Sequence, residues 1–282
     1  MRILLFLLCA AASAQTLQER IAAHPRGPEL APGQEMGQEV TFHSGALVLK
    51  GFLYKPKGAG PFPVMVWNHG SEQKPGWQPE LAAFYNRNGY VFFLPHRHGH
   101  GRSEGEYIVD LNNKLLKSAA REQDAWPAMV KLHDVYNTDV EASVAWIKKQ
   151  PFTDTKRIFM SGCSYGGIQT ILSAEKGMGV RAFVPFAPAA MSWRMTDLRE
   201  RMLKAVNNAK APVFLLQAKN DFSIGPSETL GPALRKKSPL NRSQVYPSFG
   251  PEDDHRLGHA GFACWNIGTE IWGKDVLAFL SQ

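Results

Sequence analysis

The 282-residue chain is poor in several features that would settle its class at once. It has 3 cysteines, too few for a small scaffold held by disulfides. Beyond its first residues no apolar run approaches the roughly 20 residues that a membrane-spanning helix needs, so no integral membrane segment is expected there. There is no internal repeat and no low-complexity tract, which argues against solenoids and propellers. Lys and Arg outnumber Asp and Glu by 32 to 25, yet the basic residues are interleaved with acids. No Arg-rich strip carries aromatics, so nucleic acid is not an expected partner. The chain does have apolar content: 44% hydrophobic against 20% charged residues, enough for a sizeable core and one large domain.

The first residues, MRILLFLLCAAASAQ, place one arginine before a short apolar run and then Ala12-Ser13-Ala14. This small-x-small pattern predicts a signal peptide over 1–14, cleavage before Gln15 and an exported protein, periplasmic or secreted. Cys9 is a poor lipidation site because Leu8 precedes it where a small residue is expected. Loss of Arg2 with the leader takes the formal net charge from +7 to +6. Residues 15–35 are rich in Pro, Gly and polar groups and read as an N-terminal arm. The catalytic domain is expected over 36–282.

From there the punctuation changes. EVTFHS and ALVLKGFLYKP alternate in polarity and are split by Gly45, which predicts an antiparallel hairpin. PVMVWNHG, YVFFLPH, RIFMSG, RAFVPFAP and PVFLLQA are compact apolar runs of the kind that buried parallel strands use. Helical patterns lie between them: GWQPELAAFYNRNG, TDVEASVAWIKKQ with Thr138 as N-cap, GIQTILSAEKG, SETLGPALRKK and WNIGTEIWGKDVLAFL. Such alternation argues an α/β fold with a parallel sheet. Two segments, about 106–137 and about 188–210, fit the alternation badly and are expected as lid-like insertions above the strand ends.

The sharpest signal is RIFMSGCSYGG, residues 157–167. An apolar strand runs into Gly162-Cys163-Ser164-Tyr165-Gly166, and a helical pattern follows. This is G-x-S-x-G between a strand and a helix, where a sharp turn lifts the serine clear of the sheet. The amide of Tyr165, at the helix start, is then a candidate oxyanion donor. A serine hydroxyl needs a base, and the base needs an orienting acid. Asp221, in the loop after PVFLLQA, is the candidate acid. The candidate base is His259, between Gly258 and Ala260 in a loop before the last helical pattern; His255, beside Asp253 and Asp254, is the alternative. The strand PVMVW leads into His69-Gly70, which offers the amide of Ser71 as second oxyanion donor.

These segments carry a resemblance. VMVWNHGS, LPHRHGHGRSEG, DVEASVAWIKKQPFTDTKRIFMSGCSYGG, LLQAKNDFSIGP and GHAGF resemble α/β-hydrolases, and among them the dienelactone-hydrolase-like and prolyl-oligopeptidase-like serine hydrolases. The resemblance implies a mostly parallel, eight-stranded twisted sheet with helices on both faces. It also implies Ser164 as nucleophile, Asp221 as acid, His259 as base, and no cofactor. Two departures matter. Dienelactone hydrolase itself has cysteine as nucleophile, whereas here serine holds the position and Cys163 precedes it. The stretch ahead of VMVWNHGS is too short for the propeller of the oligopeptidases. The expectation is a serine hydrolase of small carboxylic esters, with a peptidase, aminopeptidase or dienelactone-type hydrolase on the same fold as the alternative.

PHRHGHGRSEG, residues 95–105, raises a different reading. His96, His98 and His100 alternate, as zinc ligands do. The H-x-H-x-D-H pattern is incomplete, however, and Gly99 and Gly101 work against a straight strand that would point three rings one way. The stretch is better matched to the α/β-hydrolase loop D-x-R-G-x-G-x-S-x-G, with His96 at the Asp position and Arg97 kept. Two questions stay open. Cys163 and Cys264 flank the nucleophile and base closely enough to bridge, or stand as separate thiols. Tyr107, Trp126, Met129, Met191, Trp193 and Met195 line an apolar pocket, or are ordinary core. No feature of the sequence speaks to oligomeric state.

Overall fold

In the computed structural model, residues 37–265 and 268–282 are described. The expected signal peptide over 1–14 and arm over 15–35 lie outside the described residues. The hairpin forms from β1 (Gln38–Ser44) and β2 (Leu47–Tyr54), antiparallel, with Ser44 opposite Leu47. The apolar runs become β3 (Phe62–Asn68), β4 (Val91–Pro95), β5 (Thr153–Cys163), β6 (Ala182–Phe186) and β7 (Phe214–Ala218), joined by β8 (Arg242–Tyr246). One eight-stranded sheet results, in the order β1-β2-β4-β3-β5-β6-β7-β8. From β4 to β8 every pairing is parallel. This is the α/β-hydrolase fold.

The strand sequences explain the layering. In β3, Val64 and Val66 face one core while Met65 and Trp67 face the other; β4 divides in the same way into Val91 and Phe93 against Phe92 and Leu94. Successive side chains point to opposite faces, so only a strand apolar at every position can be buried on both. A fully buried Phe, Leu or Val contributes about 1.5–3 kcal/mol. Helices α1 (Pro79–Arg87) and α7 (Thr269–Leu280) cover the second face, through Leu81, Phe84 and Trp272. Helices α2 (Ile108–Ser118), α3 (Glu122–Lys148), α4 (Tyr165–Lys176), α5 (Thr196–Asn207) and α6 (Gly225–Lys237) cover the first.

Three expectations need correction. Thr138 does not cap a helix: α3 is continuous over Glu122–Lys148, and the Thr138 hydroxyl donates back to the carbonyl of Val135 at 2.7 Å. Such back-bonding lets a hydroxyl residue sit inside a helix. The first half of α3 buries Ala125, Val130 and His133, so the 122–137 half of that segment is packed helix rather than lid. Likewise 188–210 contains α5, whose Leu198, Met202, Ala205 and Val206 are buried between α4 and α6. It is the crossover between β6 and β7. Third, His259 sits not in a loop but in a π-helical segment, Leu257–Cys264.

Candidate active site

The carboxyl ends of β3, β5 and β7 converge with the π-helical segment at one place. β5 ends at Cys163, and Ser164 follows at φ 58°, ψ −116°. Few L-residues adopt this region, and the nucleophile elbow requires it. The flanking contacts explain the glycines. A Cβ on Gly166 would overlap the carbonyl oxygen of Asn68 in the neighbouring strand. The amide of Ser164 donates to Phe186 O at 3.0 Å, which ties the elbow to β6.

Ser164 Oγ lies 2.9 Å from Nε2 of His259, and His259 Nδ1 lies 2.7 Å from Oδ1 of Asp221. His259 and Asp221 are 5% and 4% exposed. A carboxylate only accepts, so Nδ1 carries the proton and the lone pair of Nε2 faces the serine hydroxyl. Such a relay can draw a proton from the serine as it attacks a carbonyl. His255, the alternative base, is surface-exposed and turns its Nδ1 to the backbone oxygen of Asn220 at 3.1 Å.

Two supporting residues carry no signal in the sequence. Gln217, buried in β7, donates to Oδ2 of Asp221 at 2.8 Å, and its own oxygen is held by the amide and hydroxyl of Ser227. Asn220 accepts from the Phe249 amide at 2.8 Å and donates to Pro251 O at 2.8 Å, so it moors the chain that leads to His259. Gln and Asn have no pattern that marks such a role; only the contacts reveal it.

The open question about the cysteines is answered by a Cys163–Cys264 disulfide, with the Cα atoms 5.4 Å apart. It joins the residue before Ser164 to the end of the segment that carries His259.

A cavity of about 450 Å³ opens over Ser164 and His259, bordered by Ser71, Glu72, Tyr107, Met191, Arg256 and Trp265 among others. Ser71 thus lies at the site, with its amide carried by the loop after β3. Tyr165 opens α4, where the first amides have no helical acceptor. Of the six apolar candidates, Tyr107 and Met191 border the cavity. Trp193 and Met195 are core, and Trp126 and Met129 pack half-buried against it.

A model of the dienelactone hydrolase family matches residues 49–255. The chain belongs to the dienelactone hydrolase family. Within that family match lie Ser164 and Asp221; His259 falls four residues beyond its end (259 against 255). Acetyl esterase Axe7A of Xylanibacter ruminicola is 28% identical over 146 residues, 49% of this chain and 32% of that protein, so the chain spans about a third of its length. Protein usf of Aquifex pyrophilus is 24% identical over 201 residues, 69% of this chain and 76% of that one. Among solved structures, ferulic-acid-bound Est1E of Butyrivibrio proteoclasticus superposes with a TM-score of 0.61 at 17% identity, over 86% of this chain and 100% of that one. That likeness shows the fold.

The histidines of PHRHGHGRSEG do not converge in this family member. His96 turns Nε2 to Gly76 O at 3.2 Å, His98 turns Nδ1 to Asp139 at 2.6 Å, and His100 turns Nδ1 to Glu72 O at 2.9 Å. Among the described residues no three His, Cys, Asp or Glu side chains cluster as a metal set. Burial pushes His96 down to about 4 and His100 to about 3, so both rings are neutral at pH 7.

Proposed function

We propose that the chain is an exported serine hydrolase that cleaves small carboxylic esters through an acyl-enzyme. The observation that carries the reading is the Ser164–His259–Asp221 relay, at 2.9 and 2.7 Å, opening on one cavity. The Ser164 oxygen bonds to the ester carbonyl carbon while its proton passes to His259 Nε2. The carbonyl oxygen becomes an oxyanion that the amides of Ser71 and Tyr165 receive. His259 returns the proton to the leaving alcohol as the C–O bond breaks. Water repeats the sequence on the acyl-enzyme and releases the acid. Asp221 keeps His259 in the working tautomer and stabilises the imidazolium.

Family membership and the acetyl esterase among the relatives support ester over amide cleavage. The cavity volume suits a small acyl and alcohol pair. Export is supported by the leader pattern and by the disulfide, since such bonds persist in oxidising compartments. No helix among the described residues is long and apolar enough to cross a membrane.

Fluorophosphonate labelling with peptide mapping tests the reading. The label is expected on Ser164 alone, with none on Ser164→Ala. Labelling or ester turnover that persists in Ser164→Ala overturns it. Acyl esters of graded length, an acetylated sugar and a peptide p-nitroanilide then rank the substrates.

A further inference from the structure

The motif that this mechanism leaves unused is PHRHGHGRSEG, and its centre is Arg97. Arg97 is 1% exposed, does not border the cavity, and has no described carboxylate within ion-pairing distance. Its nearest counter-charges, Glu72 and Asp139, act on it without touching it, and its direct contacts show what it holds. Nη2 donates to the carbonyl of His69 at 2.7 Å and to that of Gly70 at 2.7 Å. The guanidinium also stacks 4.6 Å from the centre of the Tyr165 ring.

We infer that Arg97 is a positioning residue: through the Gly70 carbonyl it aims the Ser71 amide at the oxyanion. The inference rests on the serine-hydrolase reading above. A trans peptide is a rigid plane whose C=O and N–H point opposite ways. Gly70 C=O and Ser71 N–H form one such plane. Holding the oxygen on the buried side therefore turns the N–H toward the other side, where Ser164 and the cavity lie. A charged donor on the oxygen also polarises the plane and strengthens the N–H as a donor. The preceding plane, His69 C=O with Gly70 N–H, is held in the same way, and its N–H is taken by Glu72 Oε1 at 3.2 Å. The second proposed donor, the Tyr165 amide, belongs to the residue whose ring the cation covers. One side chain thus touches the residue before one proposed donor and the ring of the other.

The surrounding residues hold Arg97 and its loop still. Asp139 of α3 accepts from the His98 amide at 2.8 Å as well as facing its ring. His100 packs 4.6 Å from the ring of His69 while facing Glu72 O, and the Gly101 amide donates to Gln73 O at 2.7 Å. Gly99 makes this possible: at φ 72°, its Cβ would overlap the carbonyl oxygen of Glu106. His100 and the Gly101 amide therefore hold the 69–73 loop against Arg97, while His98 ties the Arg97 loop to α3.

The test is kinetic and uses the full mature chain. Arg97→Lys keeps the charge and loses the planar guanidinium that stacks on Tyr165 and places Nη2 between the two carbonyls; Arg97→Met loses both. With p-nitrophenyl acetate, each folded variant is expected to lose about 10²-fold in kcat while KM stays within about threefold, as for an interaction made only in the transition state. Affinity for an aryl trifluoromethyl ketone, whose adduct with Ser164 bears an oxyanion, is expected to fall by the same factor. A residue that merely packs the core would lower Tm and move neither. Folded variants that keep kcat and analogue affinity, or that raise KM alone, overturn the inference. If neither variant folds, Ser71→Pro decides. It leaves Arg97 in place and deletes the aimed N–H, so an unchanged kcat overturns the inference, while a fall of about 10²-fold supports its premise that this amide is the donor. Failure of the serine-hydrolase reading looks different: wild type hydrolyses no ester, or Ser164→Ala remains as active as wild type, and the inference falls with it.

Discussion

Opening the Cys163–Cys264 bridge should cost the protein much of its thermal stability while sparing much of its chemistry. The bridge spans 101 residues of sequence, and closing a loop of that length removes about 4.7 kcal/mol of conformational freedom from the unfolded chain on the chain-entropy relation. A domain of this size shifts by roughly 2–4 °C in Tm per kcal/mol, so the expected loss is roughly 9–19 °C. The local effect is smaller. With the sulfurs parted, Asn220 still moors the chain leading to His259 and Gln217 still holds Asp221. The elbow keeps its own tie to β6, where the Phe186 carbonyl accepts from the Ser164 amide. The expected fall in kcat at 25 °C is therefore less than about tenfold, well short of what loss of a triad member costs. The measurements are Tm by calorimetry and ester turnover, on wild type with and without a phosphine reductant and on Cys264→Ala. A thiol titration must accompany them. Complete reduction with Tm unmoved would refute the loop-entropy argument. Free thiols at both Cys163 and Cys264, located by peptide mapping of the denatured, unreduced protein, would refute the bridge itself.

Three further outcomes are expected. Asp221→Asn should leave Tm nearly unchanged and lower kcat by about 10⁴-fold in an ester assay, because an amide no longer enforces the Nδ1–H tautomer of His259; a loss under tenfold would argue against the assigned acid. Gly166→Ala should cost about 3 kcal/mol or more, or prevent folding, since its Cβ would overlap the backbone of β3; a wild-type urea midpoint would contradict this. Acid should destabilise the fold before carboxylates titrate. Burial pushes His96 and His133 down to about 4 and His100 to about 3, whereas the unfolded chain takes up these protons near the ordinary value of 6.5. Stability is thus full above that value and falls as pH drops through 6.5 toward 4, by about 2 kcal/mol per histidine at pH 5. Urea midpoints at pH 7.5 and 5.0 that coincide would rule this out.

Much of the fold could be read along the chain because it depends on local pattern. RIFMSGCSYGG states strand, turn and helix in eleven consecutive letters, and each buried strand announces itself by being apolar at every position. Errors arose where a neighbour decided. Thr138 looks like a cap until Val135 offers its carbonyl. Residues 188–210 look irregular because α5 has only a narrow apolar stripe, Leu198, Met202, Ala205 and Val206, which suffices between two other helices. Trp193 and Met195 could not be told from Tyr107 and Met191 as pocket residues. All four are apolar or aromatic, and only burial separates core from cavity wall.

The site divides along the same line. The sequence alone determined the sharp turn at Ser164, whose steric demands are written in adjacent residues, and offered Asp221 with either His259 or His255 as candidate partners; the packing brought His259, not His255, to Ser164. The sequence could not say that Gln217 and Asn220 support the acid and the base, or that Cys163 bridges to Cys264 rather than standing free. Nor could it say that three alternating histidines would disperse to Gly76, Asp139 and Glu72 instead of sharing a metal. Each of those outcomes is a matter of direction and distance between groups far apart in the chain. Only the packed sheet, by bringing the ends of β3, β4, β5 and β7 together, decided them.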